Sequence, residues 1–473
     1  MLLLPPVRSF WVIRRLFLSI SWPLIAAALT IGFWSKHLHA EQPTPDVPTQ
    51  KQSLTAGETS QFQSLTGADD FALWHASPHL HPEKYVAASE EQKKKWQQEL
   101  RQHWTVQGDV IVNDGRGPYL VTNESYRDFE LRLKYKTVAR ADSGIYLKGT
   151  PQVQIWDSTD EGKFSLGADK GSGGLWNNSK GAAGKDPIVK ADAPFGEWND
   201  VRIVQVGART SVWLNEQIVV DHAIMENYWD RNSPLFPEGS IYLQTHGGEI
   251  QWKDILVRRL STSEANRWLA ERTGGKVFAP IFDGKTLTGW NGAVDDYAVI
   301  DGAIQCKPKR GGNLYTEEVF GDFIARLEFQ LPAGGNNGLA IRFPGKGNPA
   351  YDGMTELQVL DNTAKKYAKL DKRQYHGSAY GISAAARGYL RPVGEWNFQE
   401  VTVQGSTIRV ELNGNLILST DVSKIDEYMA NSAHPGKLLT EGHFGFAGHG
   451  DAVRFRGMQM HRIESTESKS SDQ

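Results

Sequence analysis

The chain has 473 residues, a formal net charge of −3, 23% charged and 40% hydrophobic residues. These values describe ordinary globular material and exclude collagen, coiled coil and wholesale disorder. The near-neutral balance lacks the basic footprint of a nucleic-acid binder, so no nucleic acid is expected as a partner. The one cysteine, Cys306, excludes a disulfide framework and any multi-cysteine metal site.

In residues 1–40, Arg8, Arg14 and Arg15 precede an apolar run over residues 16–34, and Ala40 precedes a polar start at Glu41. Basic region, apolar region and small residue form a secretory signal pattern. The run is also long enough to span a bilayer, so a retained membrane anchor is the other reading. Both predict an exported protein, periplasmic, at the cell surface or secreted, touching membrane only through this segment. Residues 41–60 are rich in Pro, Thr and Gln and read as a flexible linker.

The rest of the chain is one unit used twice. Val153-Gln-Ile-Trp-Asp157 matches Leu357-Gln-Val-Leu-Asp361. Gly196-Glu-Trp-Asn199 matches Gly394-Glu-Trp-Asn397. Ser143-Gly-Ile-Tyr-Leu-Lys148 matches Asn337-Gly-Leu-Ala-Ile-Arg342. The blocks keep their order in both halves, as a duplicated domain requires, and no shorter repeat occurs. The predicted domains are residues 61–260 and 278–464, joined by a polar linker at 261–277 and followed by a tail at 465–473.

Each half reads as all-β. Phe129, Leu131, Leu133 and Tyr135 alternate with charged residues, and Phe323, Ala325, Leu327, Phe329 and Leu331 do the same, which is the period of a half-buried strand. Many short strands with turn signals predict two tandem jelly-roll β-sandwiches. One helix is predicted, near residues 83–104, as an insertion in the first half.

Strand parity selects candidate functional residues. With Leu357 and Val359 inward, Glu356 and Gln358 face outward. The same rule places Arg342 and His449 on that polar face. The matching first-half residues are Gln152, Gln154, Lys148 and His246, joined by Gln244 and Trp156. Asp157 and Asp361 fall on core parity at strand ends. A lone sheet histidine is ordinarily a hydrogen-bonded filler, but this one recurs beside a turn glycine in both halves. Of the 15 tryptophans, nine lie between residues 61 and 260 and two beyond residue 277. Indole faces stack on sugar C–H surfaces, so Trp156 and Trp176 are candidate ligand platforms.

Several chemistries lack their motifs: the phosphate-cradling glycine loop and the zinc-helix histidine pair, and the nucleophile elbow. The central strands place at most one carboxylate on the open face, whereas retaining glycoside hydrolysis needs two about 5–5.5 Å apart.

The segment Phe278-Ala-Pro-Ile-Phe-Asp-Gly-Lys-Thr-Leu-Thr-Gly-Trp290 resembles the opening signature of the 3-keto-disaccharide hydrolase domain family. The later blocks, including Glu356-Leu-Gln-Val-Leu-Asp-Asn362 and the Gly-Glu-Trp-Asn pair, agree in both halves. The resemblance implies a concanavalin-A-like sandwich and an exported, carbohydrate-active protein acting on 3-keto-glycosides. It also implies Glu356, Gln358, Asp361, Asn362, Arg342, Tyr380 and His449 as site residues in the second half. The first half keeps Gln244 and His246 but has Gln152 for Glu, Ser158 for Asn and Trp176 for Tyr. The implied catalytic set is Glu356, His449 and Arg342, with His246 and Lys148 in the first half. The implied substrate-binding set is Gln358, Asp361, Asn362, Tyr380, Gln154, Gln244, Trp156, Trp176 and Asp157.

A ketone at C3 acidifies the C2 proton, so base-assisted elimination of the C1 leaving group needs one base, one acid and a cation near the enolate. Histidine is expected as the base, Glu356 as the acid, and Arg342 or Lys148 as the cation. No cofactor is predicted; loop acids leave Ca²⁺ open, though without a clear run of ligands. The alternative is a non-catalytic, lectin-like glycan binder, to which the first half is better suited.

Overall fold

The computed structural model describes residues 62–66 and 71–464. The expected signal or anchor at 1–40, the linker at 41–60 and the tail at 465–473 lie outside these residues. Among the described residues no helix is long and apolar enough to cross a membrane.

The alternating strands pair into four antiparallel sheets, two in each half. In the first half, one sheet runs in the order Gln217–Ile224, Arg209–Leu214, Asn199–Val206, Phe129–Thr137, Ile250–Arg259, Val110–Asn113, Trp104–Gln107. A five-stranded sheet packs against it, in the order Trp74–Ser77, Tyr119–Thr122, Tyr242–Leu243, Asp142–Leu147, Thr150–Trp156. The second half repeats both orders. Its larger sheet contains Phe323–Gln330, Trp396–Gln404 and Arg454–Arg462. Its five-stranded sheet runs Trp290–Gly292, Gly312–Phe320, Gly442–Gly448, Asn336–Phe343, Thr355–Leu360. Identical strand order is the structural counterpart of the duplicated sequence blocks, and the two-sandwich, all-β fold agrees with the sequence reading.

The inward series fill the space between the sheets. Phe129, Leu131, Leu133, Ile145, Val153, Ile203 and Trp252 form the first core. Phe323, Leu327, Leu339, Leu357, Val359, Phe444 and Phe446 form the second. Cys306 is a buried free thiol of the second core.

The insertion in the first half is two helices, Pro82–Val86 and Glu90–His103. The break falls where Ser89 caps the second helix, its side chain accepting from the Gln92 amide.

The stretch expected as a linker at 261–277 is largely an α-helix, Thr262–Glu271, opened by a capping box between Ser261 and Glu264. It lies between the sandwiches: Ala265 and Leu269 pack with Val206 of the first half and Phe398 of the second. Polar composition hid a helix whose apolar residues recur at i and i+4. Around it the halves are joined by buried ions. Arg209 holds Glu411 through two bonds of 3.0 and 2.6 Å. Arg272, at the end of the connecting helix, holds Glu400 of the second half at 2.7 Å, and Arg326 of that same half holds it at 2.6 Å.

Candidate active site

The strand Thr355–Leu360 is the last of the second five-stranded sheet; it pairs with Asn336–Phe343 on one side and bonds to the segment 377–380 on the other. Leu357 and Val359 enter the core, and Glu356 and Gln358 point to the opposite face, as parity predicts. That face is roofed by the loops around residues 347–351 and 367–380. A cleft of about 450 Å³ remains, lined by Glu356, Gln358, His449, Tyr351, Tyr367, Gln374 and Tyr380 among others.

At its base, His449 Nε2 lies 3.9 Å from Glu356 Oε1. The carboxylate is nearly buried and the imidazole half exposed. The carboxylate beside it raises the proton affinity of His449 more than burial lowers it. Gln358 is fixed by donating to Asn336 Oδ1 at 2.6 Å and to the Asn337 carbonyl at 3.1 Å. The Tyr380 hydroxyl accepts from Gln374 Nε2 at 2.9 Å. Four expected residues, Glu356, Gln358, Tyr380 and His449, therefore meet in one cleft.

Arg342 does not join them. Its backbone has φ +46°, and the pairing register shifts between Ala340 and Phe343. This bulge breaks strict alternation and turns the side chain away. The buried guanidinium donates to the carbonyls of Gly321, Gly405 and Leu439 and pairs with Asp322 at 2.6 Å. Lys148 departs in the same way. It has φ +54°, and its fully buried ammonium donates to the Gly207 carbonyl at 2.7 Å. Burial pushes its pKa down to about 8. Neither expected cation is in a site, and the second cleft has no lysine or arginine among its described lining residues.

The expected binding acids also have structural work. Asp361 accepts from the Thr363 amide, the Thr363 hydroxyl and the Gly334 amide at 2.6–2.9 Å. Burial would raise its pKa, but these bonds hold it below the ordinary aspartate value. Asp157 does the same for Arg140 and Thr159. Asn362 accepts from the His376 amide at 3.0 Å. Trp156 is almost buried, its indole N–H tied to the Gly171 carbonyl at 2.9 Å, so it offers no open platform. Trp176 is half-buried under the Lys185 ammonium, 5.0 Å from its ring centre.

In the first half, Gln152 donates to Gln154 Oε1, and Gln154 donates to Asp142 Oδ1 at 2.9 Å. Asp142 Oδ2 lies 3.1 Å from His246 Nδ1 and 2.9 Å from Lys163 Nζ. Gln244 Nε2 reaches the Tyr146 hydroxyl at 3.5 Å. Sequence reasoning missed Asp142, Lys163, Asn336 and Gln374. Asp142 stands one residue before the aligned block Ser143-Gly144; extending that block by one position sets it against Asn336. Among the described residues no group of three or more His, Cys, Asp or Glu side chains is placed to hold a metal ion.

The family profile described as the 3-keto-alpha-glucoside-1,2-lyase-like domain matches residues 84–258 and 277–461. The chain belongs to this family, with two tandem copies. A curated relative, the 3-keto-disaccharide hydrolase of Bacteroides thetaiotaomicron, is 30% identical over 224 residues, covering 39% of this chain and 77% of that protein. Among solved structures, a "putative glycosyl hydrolase" from Parabacteroides distasonis is 23% identical, covers 40% of this chain and 100% of that one, and has a TM-score of 0.36. A second crystal structure of a protein so described, from the same organism, gives 23%, 94% of that chain and 0.34. Family and relative together make this a carbohydrate hydrolase-like protein.

Proposed function

We propose that the second sandwich cleaves 3-keto-glycosides by proton abstraction at C2 and departure of the C1 leaving group. The observation that carries the reading is the Glu356–His449 pair, 3.9 Å apart at the base of a cleft of sugar size. A single carboxylate beside a histidine suits elimination next to a ketone, where one base and one acid suffice.

The direction of the His449 shift sets the roles. The carboxylate neighbour makes this imidazole hold a proton more firmly than an ordinary histidine does, which suits it to the donor's part. Glu356 is then the base toward C2–H, and His449 protonates the departing oxygen. This reverses the roles expected from the sequence. With no lysine or arginine in the lining, the enolate oxygen relies on neutral donors such as the Tyr380 hydroxyl and the Gln374 amide, together with the imidazolium. Water adding to the unsaturated product completes hydrolysis. The basic-then-apolar N-terminus supports an exported location for this activity.

The test is steady-state cleavage of a 3-keto-glucoside by Glu356→Gln and His449→Ala, each in a His246→Ala background. Loss of about 10²–10⁴-fold for Glu356→Gln supports the role. Full retention by both variants contradicts it.

A further inference from the structure

The two halves place their carboxylates on different strands. In the second half the acid is Glu356 of Thr355–Leu360, and the adjoining strand begins with the amide Asn336. In the first half the exchange is reciprocal: Gln152 stands in the Glu356 place, and the adjoining strand begins with Asp142. The corresponding glycines, Gly144 and Gly338, lie directly under Gln152 and Glu356. The first half has kept a carboxylate next to its histidine while moving its point of attachment.

The move changes which imidazole nitrogen is engaged. His449 presents Nε2 to Glu356, whereas His246 presents Nδ1 to Asp142 at 3.1 Å. Nε2 of His246 has no hydrogen-bond partner among the described residues, and 59% of the side chain is exposed. A carboxylate on Nδ1 fixes the tautomer and frees Nε2 for proton transfer. The same carboxylate oxygen receives the Lys163 ammonium at 2.9 Å, so the first half has the cation that the second cleft lacks. An aromatic cluster lies close by. His79, whose Nδ1 is 3.0 Å from the Tyr146 hydroxyl, sits 5.6 Å from the Tyr228 ring and 5.3 Å from the Trp229 ring. Tyr228 is exposed, giving a ring on which a sugar face can stack.

We infer that the first sandwich is a second active centre for sugars carrying a ketone next to an acidic C–H. His246 Nε2 is the proton-transfer atom, Asp142 the positioning residue and Lys163 the counter-charge to the enolate. The inference rests on the 3-keto-glycoside reading of the family site. In the step, the C2–H bond breaks and its proton passes to Nε2. The electron pair forms C2=C3, and charge moves onto the C3 oxygen. Return of that charge restores the ketone, forms C1=C2 and breaks the C1–O bond. The leaving oxygen takes the proton back from the imidazolium. The products are an alcohol and an unsaturated keto sugar, and no oxidant, reductant or further reactant is consumed.

The experiment follows 4-nitrophenolate release from 4-nitrophenyl 3-keto-α-glucoside by the full chain carrying Glu356→Gln, with and without His246→Ala. The inference expects a residual rate in Glu356→Gln that falls at least about 100-fold when His246→Ala is added. Asp142→Asn in the Glu356→Gln background is expected to move the acidic limb of the residual pH profile to lower pH, because it removes the charge that holds a proton on His246. The other charged groups facing that ring, Lys163 and His79, are unchanged. Equal residual rates with and without His246→Ala overturn the inference and leave the Glu356–His449 reading standing, with the first sandwich a glycan-binding module. Full activity in Glu356→Gln that vanishes with His246→Ala supports the first centre and sinks the second. Wild-type protein inert toward the keto-glucoside overturns both.

Discussion

Gly338 makes the space that Glu356 occupies: a Cβ at residue 338 would fall 2.0 Å from Glu356 Oε1 and 2.3 Å from its Cδ. The two residues sit on adjoining strands, Gly338 opposite Gln358 and Ala340 opposite Glu356. The glycine backbone is not in the left-handed region, so alanine fits the strand but not the space. Gly338→Ala is expected to push the carboxylate out of the cleft. In a His246→Ala background it should lower kcat/KM on a 3-keto-glucoside by at least about tenfold. Crystallography or NMR of the variant should show an intact sandwich; unchanged kinetics would remove Glu356 from the reaction.

The division of roles in the second cleft predicts a leaving-group dependence. 4-Nitrophenolate departs without help, whereas a sugar alkoxide needs a proton. In a His246→Ala background, His449→Ala should slow the nitrophenyl substrate less than about tenfold. It should slow a 3-keto-disaccharide by about 10²–10⁴-fold. Equal losses on both substrates would assign His449 to the C2 proton instead.

The Glu356 carboxylate raises the proton affinity of His449. Its NMR titration should therefore have a midpoint above the usual histidine value of about 6.5. That midpoint should drop in Glu356→Gln. No change on removing the carboxylate would mean that the pair is not coupled.

The junction between the sandwiches is predicted to be acid-sensitive. Burial alone would raise the pKa of Glu411, but the Arg209 and Arg272 guanidiniums hold it well below the usual carboxylate range. A depressed carboxyl contributes stability that is present above about pH 4.5 and is lost as the pH falls below it. Arg209→Ala leaves that carboxylate buried without its two-bond partner and is expected to cost about 3–5 kcal/mol. Thermal melts at neutral and acid pH test both statements. A wild-type melting temperature flat below pH 4.5 would contradict the first.

Lys148 is expected to be dispensable for chemistry. Its buried ammonium spans to the Gly207 carbonyl, so Lys148→Met should preserve turnover on the keto-glucoside. Because burial pushes its pKa down to about 8, the wild type should gain stability as pH rises from 8 toward 10.5, and the variant should not. A large loss of turnover in Lys148→Met would place this residue back in the mechanism.

The fold was legible because its signal is periodic and doubled. Period-two strands such as Phe129–Thr137 and Phe323–Gln330 give their burial directly, and the repeated blocks mark equivalent strands. Parity also found Glu356 and Gln358, since Thr355–Leu360 is regular, and His449, which directly follows the strand Gly442–Gly448. It failed at Lys148 and Arg342, whose positive φ values belong to irregular backbone that no alternation rule foresees. Asp157 and Asp361 looked like ligands because acids beside a strand end serve loops and substrates alike; only the three bonds each makes, two within its own loop and one to a neighbouring loop, decide. Asp142 was hidden because its partner in the other half, Asn336, is not an acid. A carboxylate that changes strands leaves no aligned position to compare.

The most direct measurement takes the purified protein with a 3-keto-glucoside and with the same glucoside unoxidised, following release of the leaving group. Glu356 is the one carboxylate among the described lining residues of the cleft, so on the proposed reading the keto form alone should be cleaved. Cleavage of both would mean that a ketone is not needed and that the reaction is ordinary glycoside hydrolysis. Cleavage of neither, with measurable glycan binding, would make the chain a lectin-like protein built on this fold.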